Sequence, residues 1–278
     1  MADTGVDEEG AWVGDLPSAL APEIILRLHA RPIALFLDYD GTLTPIVDDP
    51  AQATLPPEAF QTLTRVAERY PVAVISGRDV ADVRRMVGVE GIHYAGSHGF
   101  DIAAPSGRRL EHPPGRSRLA ALDRAERELN QEVRAIPGAQ VERKRFAIAV
   151  HYRRVDDDRL PSLERAVVRT AARHPGLRTS GGKKVWELRP DVDWDKGKAV
   201  LWLLQALGLD RDATMPIYIG DDVTDEDAFA AIRYRGLGIV VGAGNRRTAA
   251  GAALRDPAEV TAFLDHLGRR ALGTETPR

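Results

Sequence analysis

Short apolar runs alternate along the chain with longer stretches whose apolar residues recur every three or four positions. Ile33-Ala34-Leu35-Phe36-Leu37 opens the series and predicts a strand from Ile33 to Asp38. A helix near Pro57 to Arg69, a strand from Val72 to Ile75, a helix near Val80 to Val87 and a strand from Ile92 to Ala95 follow. Near-continuous apolar strands separated by amphipathic helices imply a parallel sheet covered on both faces. Upstream, Leu16 to Ala30 reads as a short amphipathic helix with Pro17 near its start.

The rhythm breaks at Leu110 to Gly115, which contains Pro113 and Pro114. Beyond it the pattern predicts a helix from Arg118 to Val133, strands around Gln140 to Glu142 and Phe146 to Arg153, a helix from Leu160 to His174, and strands near Leu177 to Thr179 and Lys184 to Leu188. Phe146, Ile148, Val150 and Tyr152 alternate with Ala147, Ala149 and His151, the period of a sheet with two unlike faces. This is an α+β insert with an antiparallel sheet. From Asp195 the first rhythm resumes, with a helix from Lys196 to Leu207, a strand from Pro216 to Ile219, a helix from Asp225 to Ile232, a strand from Gly238 to Val241 and a helix from Pro257 to Leu267. The expected fold class is α/β, a Rossmann-like three-layer parallel-sheet core over residues 16–109 and 190–278, interrupted by an inserted α+β domain over residues 110–189. A ligand cleft is expected between the two.

Composition narrows the function more than the fold. The 278 residues carry a formal charge of −3, which gives no sign of a general nucleic-acid surface. No cysteine is present, which excludes disulfides, thiol catalysis and cysteine-ligated metals. Asp3, Asp7, Glu8 and Glu9 stand where a secretory signal would be basic and then apolar, so residues 1–15 read as a disordered acidic tail. No apolar run has the length of a membrane span. A cytoplasmic chain acting as a monomer on a small anionic ligand, with no nucleic acid or membrane as partner, is the expectation.

The chemistry sits where the strands end. Asp38 and Asp40 flank one residue at the end of a strand; if the strand runs through both, their side chains point the same way, and Gly41 lets the chain turn away and expose backbone N–H groups. Such a pair suits a magnesium ion and a phosphoryl group, with one carboxylate as nucleophile and the other as proton donor. An EF-hand loop would need Gly at its sixth position and Glu at its twelfth, where this chain has Leu43 and Asp49. The second strand ends in Ser76-Gly77-Arg78, at the sheet edge where open α/β folds place ligands. Lys196 lies in the first turn of a helix, where the dipole favours anions. Such a lysine is reasonable if it holds a phosphate; a solvated surface lysine is the equal alternative. The strand Ile217-Tyr218-Ile219 runs into Gly220-Asp221-Asp222-Val223-Thr224-Asp225-Glu226-Asp227, five acids that repel one another unless a cation lies among them. A helix dipole would account for Asp225 and Glu226 but not for Asp221 and Asp222.

In chain order these stations resemble the four motifs of the haloacid dehalogenase superfamily of phosphotransferases, and more narrowly the trehalose-6-phosphate phosphatase family. The matching segments are DYDGTLTP at Asp38, SGR at Ser76, GSHG at Gly96, VERK at Val141 with HYR at His151, KKVWELRP at Lys183, DKGK at Asp195 and GDDVTDEDAF at Gly220. The resemblance implies Mg2+-dependent hydrolysis of a small-molecule sugar phosphate. Asp38 would be the nucleophile and Asp40 the acid and base, with Ser76 and Lys196 neutralising the phosphoryl oxygens. The metal would be held by Asp38, the Asp40 carbonyl and Asp221, with Asp222 or Asp225 assisting. Gly41, Thr42, Gly77, Arg78, His98 and Gly99 would meet the substrate from the core. Glu142, Arg153, Lys183 and Glu187 of the insert would grip the sugar, and alignment to Glu187 favours Lys183 over Lys184. The length is that expected of a phosphatase without a fused synthase domain.

Overall fold

A computed structural model describes residues 10–28, 31–47, 49, 52–110, 117–182, 184–210 and 213–269. The chain divides into two units. One runs to Gly99, takes in Ala103–Arg108 and resumes at Asp195, and the other holds Phe100–Ile102 and Arg109–Trp194.

In the first unit six parallel strands lie in the order Ala252–Leu254, Leu237–Val241, Met215–Gly220, Ile33–Leu37, Val72–Ile75 and His93–Gly96. The two central strands, Ile33–Leu37 and Met215–Gly220, are buried along their whole length, which is why they read as unbroken apolar runs instead of alternating ones. Their register, Met215 beside Ile33 and Ile219 beside Leu37, brings the ends that carry Asp38 and Asp221 out at one edge. Alternate residues sort to two faces. Ile33, Leu35, Leu37, Ile217 and Ile219 join a core with Leu63, Val66, Val83, Phe263 and Leu264 from helices Pro57–Ala67, Val80–Val87 and Pro257–Arg269. On the other face the Tyr218 ring meets Phe229 of helix Glu226–Ile232 edge-on at 5.7 Å, and helix Lys196–Ala206 packs beside it. Helix, sheet and helix make three layers.

The second unit is an antiparallel sheet in the order Gln140–Lys144, Ala147–His151, Val185–Pro190, Leu177–Gly182. Ile148, Val150 and Leu188 pack on Leu122, Ala125, Leu129, Leu163 and Val167 of helices Leu119–Val133 and Leu160–Arg173. The expected α/β core with an α+β insert is therefore the architecture found.

Two expectations change. The first helix is Pro22–Leu28, shorter than Leu16 to Ala30, because Pro22 starts it and Ser18 bridges to Ala253 beside it. Residues 10–15, read as part of a tail, carry structure. Ala11–Trp12 pairs antiparallel with Arg247–Thr248, Val13–Asp15 forms a 3-10 turn, and Val13 is buried. Two isolated apolar residues are too few to signal a strand, and residues 1–9 lie outside the described part.

Candidate active site

Lys196 is the centre of the first unit's polar cluster. Its side chain is 3% exposed and donates to Asp38 Oδ1 at 2.8 Å and Asp225 Oδ1 at 2.7 Å. The helix beginning at Lys196 is capped by Asp195, whose Oδ1 accepts the Lys198 N–H at 2.8 Å. The ammonium is thus aimed inward at carboxylates, not out at solvent. Burial works against its charge, but Asp225 and Asp38 beside it raise its pKa overall.

Asp225 is completely buried, and each of its oxygens is used. Tyr218 donates its hydroxyl to Oδ1 at 2.6 Å, and the Asp222 N–H reaches Oδ2 at 2.9 Å. The sequence had allowed Asp225 and Glu226 to be dipole-complementing residues of a helix start. Instead Asp225 belongs to a 3-10 turn, Val223–Asp225, and serves the lysine. Glu226 accepts from Thr248 Oγ1 at 3.0 Å, the Ala249 N–H at 2.8 Å and Arg246 Nη1 at 3.3 Å. Tyr218 and Arg246 were missed by motif reading. A tyrosine within the apolar run Ile217-Tyr218-Ile219 was the one signal for the first, and the adjacent arginines Arg246 and Arg247 in a loop carry none for the second.

Asp38, Asp221 and Asp225 bring carboxylate oxygens within 4.8 Å of one another. Among the described residues one ammonium, that of Lys196, faces the three. Asp221 Oδ1 is buried and has no hydrogen-bond partner among the described residues, and burial, together with Asp225 and Asp222, pushes its pKa up to about 7. The Asp38 carboxyl is likewise raised by burial, against the pull of Lys196. Excess negative charge in an all-oxygen donor set suits a hard divalent cation such as Mg2+. Asp40 and Asp222 lie outside this cluster through their carboxylates. Asp222 is an exposed cap for the Val223 N–H at 2.7 Å, and Asp40 is gripped by Arg78.

Gly41 has a role different from the one expected. Its N–H is spent on Thr44 O at 2.8 Å within the turn, so it does not present a free donor. Its φ of 82° is one that only glycine adopts without strain, and any side chain there would run into the Asp221 carboxylate. Thr42 beside it is fully buried, and its Oγ1 has no hydrogen-bond partner among the described residues.

The SGR and GSHG segments prove to be one structure. Ser97 N–H donates to Arg78 O at 2.8 Å and His98 N–H to Ser76 O at 2.9 Å, while Ser76 Oγ accepts the Arg78 N–H at 3.1 Å. Ser76 does not cap the following helix, which starts at Val80 after Asp79. The His98 ring lies against Gly77, where an added Cβ would be 3.0 Å from Cε1. Ser97 and His98 both take positive φ, 50° and 58°, an unusual pair for non-glycine residues held by the clasp between the loops. Gly99 follows, buried.

In the second unit Glu142 and Glu187 both stand opposite Ala149, hence in one row on the face away from the helices. Lys144, on the same face, donates to Glu187 Oε1 at 3.0 Å, and Glu142 Oε2 is 2.7 Å from His151 Nε2. Lys144, part of VERK, was not singled out. Arg153 is exposed just past the strand, and Lys183 lies outside the described residues.

The core and insert have a fold shared with a haloacid dehalogenase-like hydrolase. One such hydrolase from Bacteroides thetaiotaomicron superposes with a TM-score of 0.61, covering 85% of this chain and 99% of its own at 16% identity. The description of the trehalose-phosphatase family matches residues 36–259, and the chain belongs to that family. It is an enzyme of the phosphoric monoester hydrolase class. A trehalose-phosphate phosphatase of Mycobacterium bovis is 47% identical over 277 residues, 96% of this chain and 71% of the relative. The C-terminal domain of a Candida albicans trehalose-6-phosphate phosphatase superposes with a TM-score of 0.72, at 25% identity, covering 91% of this chain and 98% of that one. Among the described residues no helix is long and apolar enough to cross a membrane.

Proposed function

We propose that the enzyme hydrolyses trehalose 6-phosphate to trehalose and inorganic phosphate, using Mg2+ and an aspartyl-phosphate on Asp38. The observation that carries the reading is the buried Asp38 carboxylate, gripped at Oδ1 by Lys196 and grouped with Asp221 and Asp225, in a chain of the trehalose-phosphatase family.

Asp38 attacks phosphorus as the bond to the sugar oxygen breaks, and Asp40 gives that oxygen a proton, releasing trehalose. Asp40 then takes a proton from water, whose oxygen attacks the aspartyl-phosphate, freeing phosphate and regenerating the Asp38 carboxylate. Lys196 holds Oδ1 of Asp38. Ser76 and the unpartnered Thr42 hydroxyl supply donors for phosphoryl oxygens, and most of the rate gain in such chemistry comes from that electrostatic positioning. Asp38, Asp221 and Asp225, with the Asp40 carbonyl, would hold the metal ion, which when bound offsets charge on the phosphoryl group.

For the sugar, the reading draws on Glu142, Arg153, Lys183 and Glu187 of the second unit, with Gly77, Arg78, His98 and Gly99 of the first. Glu142 and Glu187 share a sheet face, and carboxylates in a row suit vicinal hydroxyls, each taking two hydrogen bonds. A phosphorylated sugar is charged and stays where it is made, so we infer a cytoplasmic setting. Phosphate release from a panel of sugar phosphates with Mg2+ tests the proposal. Preference for trehalose 6-phosphate is expected. Faster release from another sugar phosphate would overturn the substrate assignment, and an isomerised sugar phosphate in place of free phosphate would overturn hydrolysis.

A further inference from the structure

The peptide unit between Asp221 and Asp222 is gripped at both edges. Its N–H donates to Asp225 Oδ2 at 2.9 Å, and its carbonyl, that of Asp221, accepts from Arg246 Nη2 at 2.7 Å. Rotation of this peptide would swing the Asp221 side chain, so whatever holds the carbonyl also sets the direction of the carboxylate. The same guanidinium reaches Glu226 Oε1 at 3.3 Å through Nη1. It therefore spans the acidic loop from Asp221 to Glu226. Its planar fork suits this double duty, which a lysine ammonium cannot reproduce.

Arg246 is itself held in place. Its carbonyl accepts the Val13 N–H at 3.1 Å, and the next two residues pair with the short Ala11–Trp12 strand. Arg247 lies over the Trp12 ring at 5.3 Å and donates to Gly10 O at 2.9 Å. Thr248, almost completely buried, and Ala249 then donate to Glu226 Oε2. The segment 246–249 thus carries one donor for the Asp221 carbonyl and three for Glu226.

We propose that Arg246 is a positioning residue for the metal site, fixing the direction in which Asp221 presents its carboxylate by bracing the acidic loop at both ends. The inference rests on the Mg2+ reading given above. Arg246 touches no reacting atom; it acts through the backbone of Asp221.

The test is a Mg2+ titration read as the rise in thermal melting temperature, on the full chain without substrate. Arg246→Gln should raise the Mg2+ midpoint by roughly 10- to 100-fold, the usual effect of losing a group that orients a metal ligand. Arg246→Lys should fall between the two. Added Mg2+ should restore turnover of the variant while leaving its KM for the sugar phosphate unchanged. A merely structural role would lower the metal-free melting temperature and leave the midpoint where it was, which would overturn the proposal. Should Arg246→Gln not fold, Glu226→Gln releases the same brace from its other end, and an unchanged midpoint there would equally overturn it. Failure of the unaltered chain to bind Mg2+ would overturn the metal reading and this inference together; binding by the unaltered chain with no shift in the variants overturns this inference alone.

Discussion

Arg78 closes on Asp40 through two parallel hydrogen bonds, Nε to Oδ2 at 2.7 Å and Nη2 to Oδ1 at 2.6 Å. Such a fork fixes the carboxylate in plane and angle. The guanidinium also lies over the Tyr39 ring at 5.6 Å, and the Asp40 carboxylate raises its pKa further. If Asp40 is the acid that protonates the sugar oxygen, Arg78 sets its aim, one arm of the fork releasing when Asp40 takes up the proton it gives. Arg78→Ala should then lower kcat on trehalose 6-phosphate by about 10- to 100-fold, a cost typical of a misaligned proton donor. On p-nitrophenyl phosphate, whose leaving group needs no proton, the loss should be much smaller. Equal losses on both substrates would show that Arg78 acts on the phosphate and not through Asp40.

Asp38→Asn keeps the shape of the nucleophile and removes its charge. Turnover should fall by roughly five or more orders of magnitude, as when a nucleophile is deleted elsewhere. Binding of trehalose 6-phosphate, measured by calorimetry, should remain. Residual activity near that of the unaltered chain would refute an aspartyl-phosphate on Asp38.

Among the described residues Lys196 is the ammonium bonded to both Asp38 and Asp225, and all three are buried. Lys196→Met leaves two acids in a dry site without their cation. Breaking a buried pair from one side costs about 3–5 kcal/mol, or a melting temperature lower by roughly 10 °C. Saturating Mg2+ should recover part of that loss, because a cation among the same oxygens replaces the missing charge. A variant that melts as the unaltered chain does would show that the triad contributes nothing to stability.

How far the chain could be read beforehand follows from where each signal lies. The central strands were legible because burial on both faces demands unbroken apolar runs, as in Ile33–Leu37 and Met215–Gly220. The short strands at Ala11–Trp12 and Arg247–Thr248 were not, since two residues define no period. Among the site residues, Asp38, Lys196 and Asp221 stand at strand or helix ends, where topology alone brings them to one edge. The division of labour within the acidic loop was illegible. Asp222 and Asp225 are both acids in a turn, and only the fold makes one an exposed cap and the other the buried partner of Lys196. Arg246 reaches that loop from 25 residues away, a distance over which no spacing rule speaks.

His93 supplies a pH dependence that is independent of catalysis. Burial lowers its pKa from 6.5, with a bond to the Val72 backbone working the other way. The unfolded chain therefore takes up this proton at a higher pH than the folded one. The resulting stability is complete above about pH 6.5, the unfolded value, falls as the pH drops below it, and levels off once the pH is below the folded value. Denaturant unfolding between pH 7.5 and pH 5 should show this decline, and His93→Gln should remove part of it. A variant whose stability follows the same pH curve would mean that other groups carry the acid sensitivity.

Glu187 shares its sheet row with Glu142 and accepts from Lys144 at 3.0 Å. Its contribution to the proposed reaction is to the sugar alone. Glu187→Ala deletes one charged hydrogen-bonding group, worth about 1.5–3 kcal/mol, and leaves Lys144 without that carboxylate. The kcat/KM for trehalose 6-phosphate should fall by roughly 10- to 100-fold, mainly through KM, since binding of sugar hydroxyls is shared by ground and transition states. Hydrolysis of p-nitrophenyl phosphate, which has no sugar, should be unaffected. Were both substrates to suffer alike, Glu187 would be holding the sheet through Lys144, and the sugar would have to be recognised elsewhere on the second unit.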